Sequence, residues 1–251
     1  MADRAMTIAH RTHDARMRAA DLAEEFHLPL QHADETLAPG GARLLVEEDA
    51  IELEVAGFGR PLRVDFTSPR LAYRLRGGGR EQLLHACGVP RSAGVSLVDG
   101  TGGFGIDAFV LAHAGARVTV LERHPLVFAL LRDAHLRATR EPKLAEAAAR
   151  MQLVHADAAE WLAVEQRADV VYLDPMFPPR RKSALVKRPM QMLEAMVDDE
   201  TAERLLSAAI GSAGRRVVLK RPLRGAVVPL ARDASFSLQG RSVRFDVYEL
   251  P

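Results

Sequence analysis

The run from Tyr172 to Pro178 contains residue types that could act on an amino group. It follows two valines, so we predict that Asp174 leaves the carboxyl end of a buried strand. The carboxylate of Asp174 and the carbonyl of Pro175 accept hydrogen bonds, and Phe177 offers a face for a flat ring. This set suits an amino group on an aromatic ring, as in a nucleobase. A plain turn is the alternative, because Asp and Pro are common turn residues.

A glycine-rich loop follows an earlier predicted strand. Asp99 precedes the segment 100–105, GTGGFG, which is a G-x-G-x-x-G pattern between a strand and a helix. Glu122 ends the next predicted strand, where a carboxylate can accept hydrogen bonds from a ribose diol. This arrangement matches the fingerprint of an NAD-dependent oxidoreductase, and a mere turn is the simpler alternative.

The position of Asp99 favours a different ligand. A carboxylate beside a pyrophosphate would repel it, whereas it would attract the ammonium and sulfonium of S-adenosylmethionine. Glycines such as Gly103 and Gly105 would then let the loop approach the methionine moiety. Asp157, after the third strand, is predicted either to accept a hydrogen bond from the adenine amino group or to cap a helix. These two roles are compatible.

Basic residues follow the proposed catalytic run directly. They are candidates for contact with RNA phosphates, although most basic runs are simply solvated. The segment Lys220-Arg221-Pro222 ends the next strand at the same sheet edge and would extend the patch. The candidate RNA-binding residues are Arg180, Arg181, Lys182, Lys187 and Arg188.

Strands alternate with helices from residue 95 onward, which predicts an α/β fold with a parallel, doubly wound sheet. We assign residues 79–251 to this Rossmann-like domain. Residues 21–78 are predicted to form a small, mostly β subdomain, with strands at 51–55 and 62–66 and a polar, helical stretch within 21–40. Residues 1–20 are predicted to be a poorly defined extension. The three glycines at 77–79 are either a linker or a loop that approaches phosphate.

Composition excludes several classes of protein. The formal net charge is +1, so any contact with nucleic acid depends on local clusters of basic residues. Cys87 is the single cysteine, which excludes an internal disulfide and favours a reducing, cytoplasmic location. We predict no metal site, because His10 and His13 have no further candidate ligands nearby. No stretch has the length of a membrane span or of a secretory signal's apolar segment.

Several of these segments together resemble a known family. The run 99–109 (DGTGGFGIDAF), the segment 121–123 and the run 171–187 are similar to bacterial 16S ribosomal RNA guanine-N2 methyltransferases of the small-subunit methyltransferase J type. The segments 77–80 and 244–248 also fit. The resemblance covers roughly residues 20 to 250, and its most specific part is the run 172–187.

This resemblance implies a class I, Rossmann-like methyltransferase fold, S-adenosylmethionine as cofactor and the N2 amine of a guanosine in 16S rRNA or the 30S subunit as target. It also implies that Asp174, Pro175 and Phe177 are catalytic. The family usually has Arg in place of Ile106 and often a hydroxyl residue in place of Asp157. Methylation of adenine or cytosine amines in DNA or RNA is an alternative. The cofactor contacts implied by position are Ile106, Asp107, Glu122, Arg123, Asp157, Ala158 and Asp174.

Overall fold

The structure of the chain is a computed structural model. It describes residues 5–76, 82–89, 94–164, 168–175, 191–192, 202–223 and 232–251. Two sheets organise these residues, and one large apolar core includes residues from both. No helix within the described ranges combines the length and the apolar character needed to cross a bilayer.

The smaller sheet lies at the N-terminus and has the order β2-β1-β3-β4. Its strands are β1 Met6–His10, β2 Leu30–His32, β3 Ala42–Val46 and β4 Ile51–Val55. Strand β1 is parallel to both neighbours, and β3 pairs antiparallel with β4.

The first 20 residues therefore differ from the prediction of a poorly defined extension. Residues 6–10 form the inner strand β1, in which Ile8 and Ala9 have no exposed surface. The helix predicted within 21–40 is α1, which begins earlier and spans His13–Glu25. The Thr12 hydroxyl accepts a hydrogen bond from the Ala15 amide and caps its first turn. Charged residues surround these short elements in the sequence, so their apolar faces produce only a weak pattern.

The strand predicted over 62–66 is also wrong. Leu62 makes only an isolated bridge to Leu53. Val64 and Phe66 are buried, so the alternation of apolar and polar residues reflects burial of these side chains and not the pairing of a strand. The Asp65 carboxylate accepts hydrogen bonds from the amide and hydroxyl of Thr67, and this turn leads into helix α2, Pro69–Arg76.

The larger sheet has seven strands in the order β10-β11-β9-β8-β5-β6-β7. The strands β9, β8, β5, β6 and β7 pair in parallel, each with the next. Strand β11 is antiparallel to both β9 and β10. The strands are β5 Ser96–Asp99, β6 Arg117–Glu122, β7 Met151–His155, β8 Val170–Leu173, β9 Arg216–Pro222, β10 Phe236–Gln239 and β11 Val243–Glu249.

This sheet confirms the predicted α/β class and the parallel core. The chain runs outward from β5 to β7 and then returns to β8 on the other side of β5. The switch in direction places the carboxyl ends of β5 and β8 side by side, where such folds bind ligands. The remaining helices are α3 Gln82–Ala86, α4 Ile106–His113, α5 Pro125–Arg140, α6 Ala145–Ala149, α7 Ala158–Val164 and α8 Ala202–Ser212.

Two ion pairs join α1 to α5. Asp133 of α5 is buried and pairs with Arg18 of α1 and with Arg137, whose Nε lies 2.9 Å from its carboxylate. Arg132 and Glu25 form a second, exposed pair with nitrogen–oxygen distances of 2.6 Å. These contacts attach the N-terminal unit to the large sheet's helical layer. The predicted domain boundary at residue 78 lies outside the described residues.

Candidate functional site

Asp99 ends β5 at the centre of the sheet edge, with only 2% of its surface exposed. Its Oδ1 accepts hydrogen bonds from the amide of Thr101 at 3.0 Å and from the Thr101 hydroxyl at 3.3 Å. Burial, together with the charges of Asp107 and Asp174, raises the pKa of Asp99 to about 7, against these hydrogen bonds. Oδ2 accepts no hydrogen bond from the described residues, so this oxygen is available to a ligand that donates.

The backbone amides of the glycine loop donate hydrogen bonds to acceptors within the protein. The amide of Gly102 donates to the Leu121 carbonyl at 2.8 Å, that of Gly103 to Glu122 Oε2 at 2.7 Å, and that of Gly105 to the Gly102 carbonyl at 2.8 Å. A Cβ on Gly102 would lie 2.7 Å from Val120 Cγ1. Gly105 has φ +72°, a conformation that favours glycine. Close packing against β6 explains why position 102 is a glycine, and the backbone conformation explains position 105. Neither explanation requires a bound ligand.

Glu122 is held rigidly at the end of β6. Its two oxygens accept hydrogen bonds from the amides of Gly103 and His124, both at 2.7 Å. Burial raises the pKa of Glu122, and these amide hydrogen bonds partly offset the effect. Each carboxylate oxygen has a second lone pair, so the predicted contact with a ribose diol remains chemically available.

Asp157 follows β7 and has the capping role that was one of its two predictions. Its Oδ1 accepts a hydrogen bond from the Glu160 amide at 3.1 Å in the first turn of α7. Arg204 lies 3.1 Å from the same oxygen, and Arg123 lies 3.7 Å from Oδ2. Ala158 is buried beside it at the start of α7. The predicted cofactor residues of β6 and β7 therefore lie together at one end of the site.

A second group of charges surrounds Asp107, in the first turn of α4. Its carboxylate accepts hydrogen bonds from Arg74 and Lys220, both at 2.8 Å, and from the Tyr172 hydroxyl at 2.7 Å. Burial acts against ionisation, but Lys220 and Arg74 outweigh it and hold the pKa of Asp107 well below its ordinary value. Ile106 precedes Asp107 as the first residue of α4.

Asp174 is fixed by contacts to two other strand ends. Its amide donates to the Thr101 hydroxyl at 2.6 Å, and its Oδ2 accepts from Lys220 Nζ at 2.6 Å. Burial raises the pKa of Asp174, and the ammonium of Lys220 opposes this rise. Burial alone would lower the pKa of Lys220, but Asp174 and Asp107 outweigh it and raise the pKa. Oδ1 of Asp174 has no hydrogen-bond partner among the described residues.

The role of Lys220 differs from its prediction as part of a phosphate-binding patch. Its ammonium faces the carboxylates of Asp107 and Asp174, at the end of β9. Arg221 is likewise paired, with NH1 3.2 Å from Asp246 in the buried part of β11. The location of Lys220 on the strand after β8 is the sequence signal that could have indicated this contact. Thr101 and Tyr172 were not singled out for the contacts that their hydroxyl groups make.

The predicted catalytic run is described as far as Pro175, which is buried. Phe177 and the predicted RNA-binding residues lie outside the described residues. The histidine pair carries no ligand set, and no group of three His, Cys, Asp or Glu side chains in the described ranges is arranged to hold a metal ion. His10 instead packs edge-on against His32.

The donor and acceptor set fits a cofactor that carries positive charge and hydroxyl groups. Asp99, a buried residue, supplies a carboxylate oxygen that accepts no hydrogen bond from the described residues, and Glu122 supplies a fixed carboxylate at the end of the next strand. Both groups have a raised pKa because they are buried, so a cationic ligand would stabilise the ionised form of Asp99. S-adenosylmethionine has an ammonium, a sulfonium and a ribose diol, and it meets these requirements.

Comparison with known proteins gives the same assignment. A family model described as putative SAM-dependent methyltransferase matches residues 21–250. A solved SAM-dependent methyltransferase from Neisseria gonorrhoeae superposes with a TM-score of 0.74 at 33% identity, over 97% of this chain and 96% of that one.

Curated relatives narrow the family. A protein named ribosomal RNA small subunit methyltransferase J from Thioalkalivibrio sulfidiphilus is 44% identical, with 99% of each chain covered. A protein of the same name from Chromohalobacter salexigens is also 44% identical, over 91% of this chain and 92% of the relative. The chain is therefore a SAM-dependent methyltransferase that belongs to the ribosomal RNA small subunit methyltransferase J family.

Proposed function

We propose that this enzyme methylates the exocyclic N2 amine of a guanosine in the RNA of the small ribosomal subunit. The observation that carries the proposal is the state of Asp174 at the end of β8. One oxygen of its carboxylate is held by Lys220 at 2.6 Å, and the other has no partner among the described residues. The names of the relatives support ribosomal RNA as the substrate class.

The cofactor supplies an electrophilic methyl group on a sulfonium. The residues Asp99, Glu122 and Asp157 would hold it, with Ile106, Asp107, Arg123 and Ala158 as the further contacts that the family resemblance implies.

The protein's own part is to orient the amine. The lone pair of a guanine amine is delocalised into the ring, which makes it a poor nucleophile. Hydrogen bonds from its two N–H groups to Asp174 Oδ1 and the Pro175 carbonyl would direct that lone pair out of the ring plane. The ammonium of Lys220 lowers the pKa of Asp174, against the effect of burial, and thereby favours the ionised carboxylate. Asp174 Oδ1 would accept the proton that N2 loses.

Base stacking is the second part of the mechanism. Phe177 would stack on the guanine, a contact worth roughly 1–3 kcal/mol. That energy is comparable with the few kcal/mol needed to extrude a base from its stack. Arg180, Arg181, Lys182, Lys187 and Arg188 are proposed to contact the RNA phosphates nearby.

The dinucleotide alternative fails at the glycine loop. A pyrophosphate needs backbone amides that point toward it. Here the amides of Gly102, Gly103 and Gly105 donate to protein acceptors, and the buried carboxylate of Asp99 lies at the base of the loop. The family assignment agrees with this conclusion.

The test is methyl transfer by Asp174→Asn to small-subunit rRNA, to 30S particles and to duplex DNA, followed by mapping of the modified atom. We expect the wild type to modify guanine N2 in the RNA, and Asp174→Asn to lose at least a hundredfold in kcat while still binding S-adenosylhomocysteine. Retained turnover by this variant would exclude the proposed role of Asp174. Transfer to DNA adenine or cytosine would replace the proposed substrate.

A further inference from the structure

A cleft of about 620 Å³ is lined by Lys220, whose ammonium contacts Asp174. Helix α2 contributes Arg70 and Arg74 to its lining, and the turn between β10 and β11 contributes Arg241. Lys220 and Asp107 also line it, whereas Asp99, Glu122 and Asp157 do not. The cleft thus adjoins the site of methyl transfer but shares only Asp107 with the predicted cofactor residues.

The charge of this cleft is unbalanced. Among the described lining residues, four cationic side chains face one carboxylate, that of Asp107, which gives these residues a net charge of +3. Arg74 and Lys220 both pair with that carboxylate at 2.8 Å. Arg70 and Arg241 are exposed, and neither has an ion-pair partner among the described residues. Two guanidinium groups at the outer side of the cleft are therefore available to an anion.

The wall that carries Arg241 is fixed in place. Gln82 Nε2 of α3 donates to the Gln239 carbonyl at 2.7 Å, which attaches the hairpin turn to that helix. A Cβ on Gly240 would lie 2.6 Å from Gln82 Oε1 and 3.0 Å from the Val243 carbonyl oxygen, so only glycine fits without displacement. The packing presents Arg241 from a defined position opposite α2.

We propose that this cleft binds the phosphodiester backbone of the RNA beside the target guanosine. The inference rests on the proposed function. The volume lies within the range of about 300–1,000 Å³ that holds ligands of small-molecule size, which accommodates a sugar-phosphate unit. Guanidinium groups bind phosphate oxygens through paired hydrogen bonds. Lys220 connects the cleft to Asp174, so a backbone held here would deliver its nucleotide to the catalytic carboxylate.

The experiment compares the full chain with the double variant Arg70→Gln/Arg241→Gln. Arg74 and Lys220 are left intact because they hold Asp107. The matched control is Arg16→Gln/Arg140→Gln, which removes two exposed arginines that do not line the cleft. Binding of a small-subunit rRNA transcript is measured between low and moderate salt in the presence of S-adenosylhomocysteine, and the affinity for S-adenosylhomocysteine is measured alone. Thermal unfolding verifies that each variant is folded.

We expect the cleft variant to bind RNA several-fold more weakly at low salt. The slope of log K against the logarithm of the salt concentration should become shallower by roughly 1 per arginine. Its affinity for S-adenosylhomocysteine should equal that of the wild type, and the control should bind RNA as the wild type does. An unchanged salt dependence in the cleft variant, or an equal loss in the control, would overturn the inference. Weaker S-adenosylhomocysteine binding with intact RNA binding would instead assign the cleft to the cofactor.

These outcomes are distinct from failure of the proposed function. If the wild type methylates guanine N2 in rRNA while the cleft variant binds that RNA normally, the inference alone is lost. If the wild type does not methylate rRNA, the proposed function is lost whatever the variants bind.

Discussion

The ammonium of Lys220 lies 2.6 Å from Asp174 and 2.8 Å from Asp107, so one cation serves two carboxylates from different parts of the fold. Asp174 follows β8, Asp107 lies in the first turn of α4 and Lys220 lies in β9. Burial favours protonation of Asp174, and Lys220 counteracts it. Lys220 is thereby a positioning residue that favours the ionised form of a hydrogen-bond acceptor.

Replacing Lys220 by Met should lower kcat and shift its pH dependence. Without the ammonium, the pKa of Asp174 rises further, so the carboxylate is protonated at a higher pH. The acidic limb of the kcat profile should move upward, with at least a tenfold loss at pH 7. Lys220→Arg retains the charge and should keep the wild-type limb with a smaller loss of rate. A pH profile of Lys220→Met that coincides with the wild type would show that Lys220 does not act through Asp174.

Thr101 connects the glycine loop to the catalytic segment through its hydroxyl. This oxygen accepts from the Asp174 amide at 2.6 Å and donates to Asp99 at 3.3 Å. Thr101→Val preserves the shape and removes both contacts, each worth about 1 kcal/mol. We expect kcat to fall about tenfold while S-adenosylhomocysteine binds within a few-fold of the wild type. Thr101→Ser should retain most of the rate, and equal losses in both variants would point to packing instead.

Cofactor binding should depend on the ionisation of Asp99. Its pKa is about 7 because it is buried, so below pH 7 the free enzyme must release a proton before the carboxylate can attract a cation. The affinity for S-adenosylmethionine should therefore decrease as the pH falls below 7, approaching tenfold per pH unit. Calorimetric titrations between pH 5.5 and 8 measure this. Asp99→Asn should bind weakly at every pH, and a sloping profile in that variant would assign the titration to another group.

The buried ion pair between the two units should matter for stability more than the exposed one. Asp133→Ala leaves Arg18 and Arg137 without their shared carboxylate and should lower the free energy of unfolding by about 3 kcal/mol. Glu25→Ala removes the exposed pair between the same two helices and should cost less than about 1 kcal/mol. Denaturant unfolding of both variants compares them directly. Similar losses would mean that burial of Asp133 contributes little.

Strand ends were the part of the site that the sequence could predict. Asp99, Glu122 and Asp174 each follow a run of buried apolar residues, and parallel strands bring their carboxyl ends to one edge. The contact of Lys220 with Asp107 was not predictable in this way, because it joins residues 113 positions apart through side chains of a strand and a helix. The packing of α4 against the sheet brings Asp107 to Lys220, whereas the pairing of β8 with β9 brings Asp174 close to it.

The elements missed by the sequence prediction have weak patterns. Strand β10, Phe236–Gln239, lies at the edge of the sheet, and its apolar face consists of only Phe236 and Leu238, neither of which is fully buried. Strand β1 has only five residues, among charged neighbours. Its identity depends on pairing with β2 and β3, which follow later in the chain. Short strands of this kind are defined by their partners more than by their own composition.

The position of β1 between β2 and β3 has a consequence for folding during translation. All four strands of the small sheet lie between residues 6 and 55, so the growing polypeptide carries the complete set before β5 has been synthesised. Folding can then proceed from the N-terminus, unit by unit, as translation continues. A chain shortened by its first ten residues would lack the strand that joins β2 to β3, and the exposed edge of β3 would favour aggregation of the nascent product.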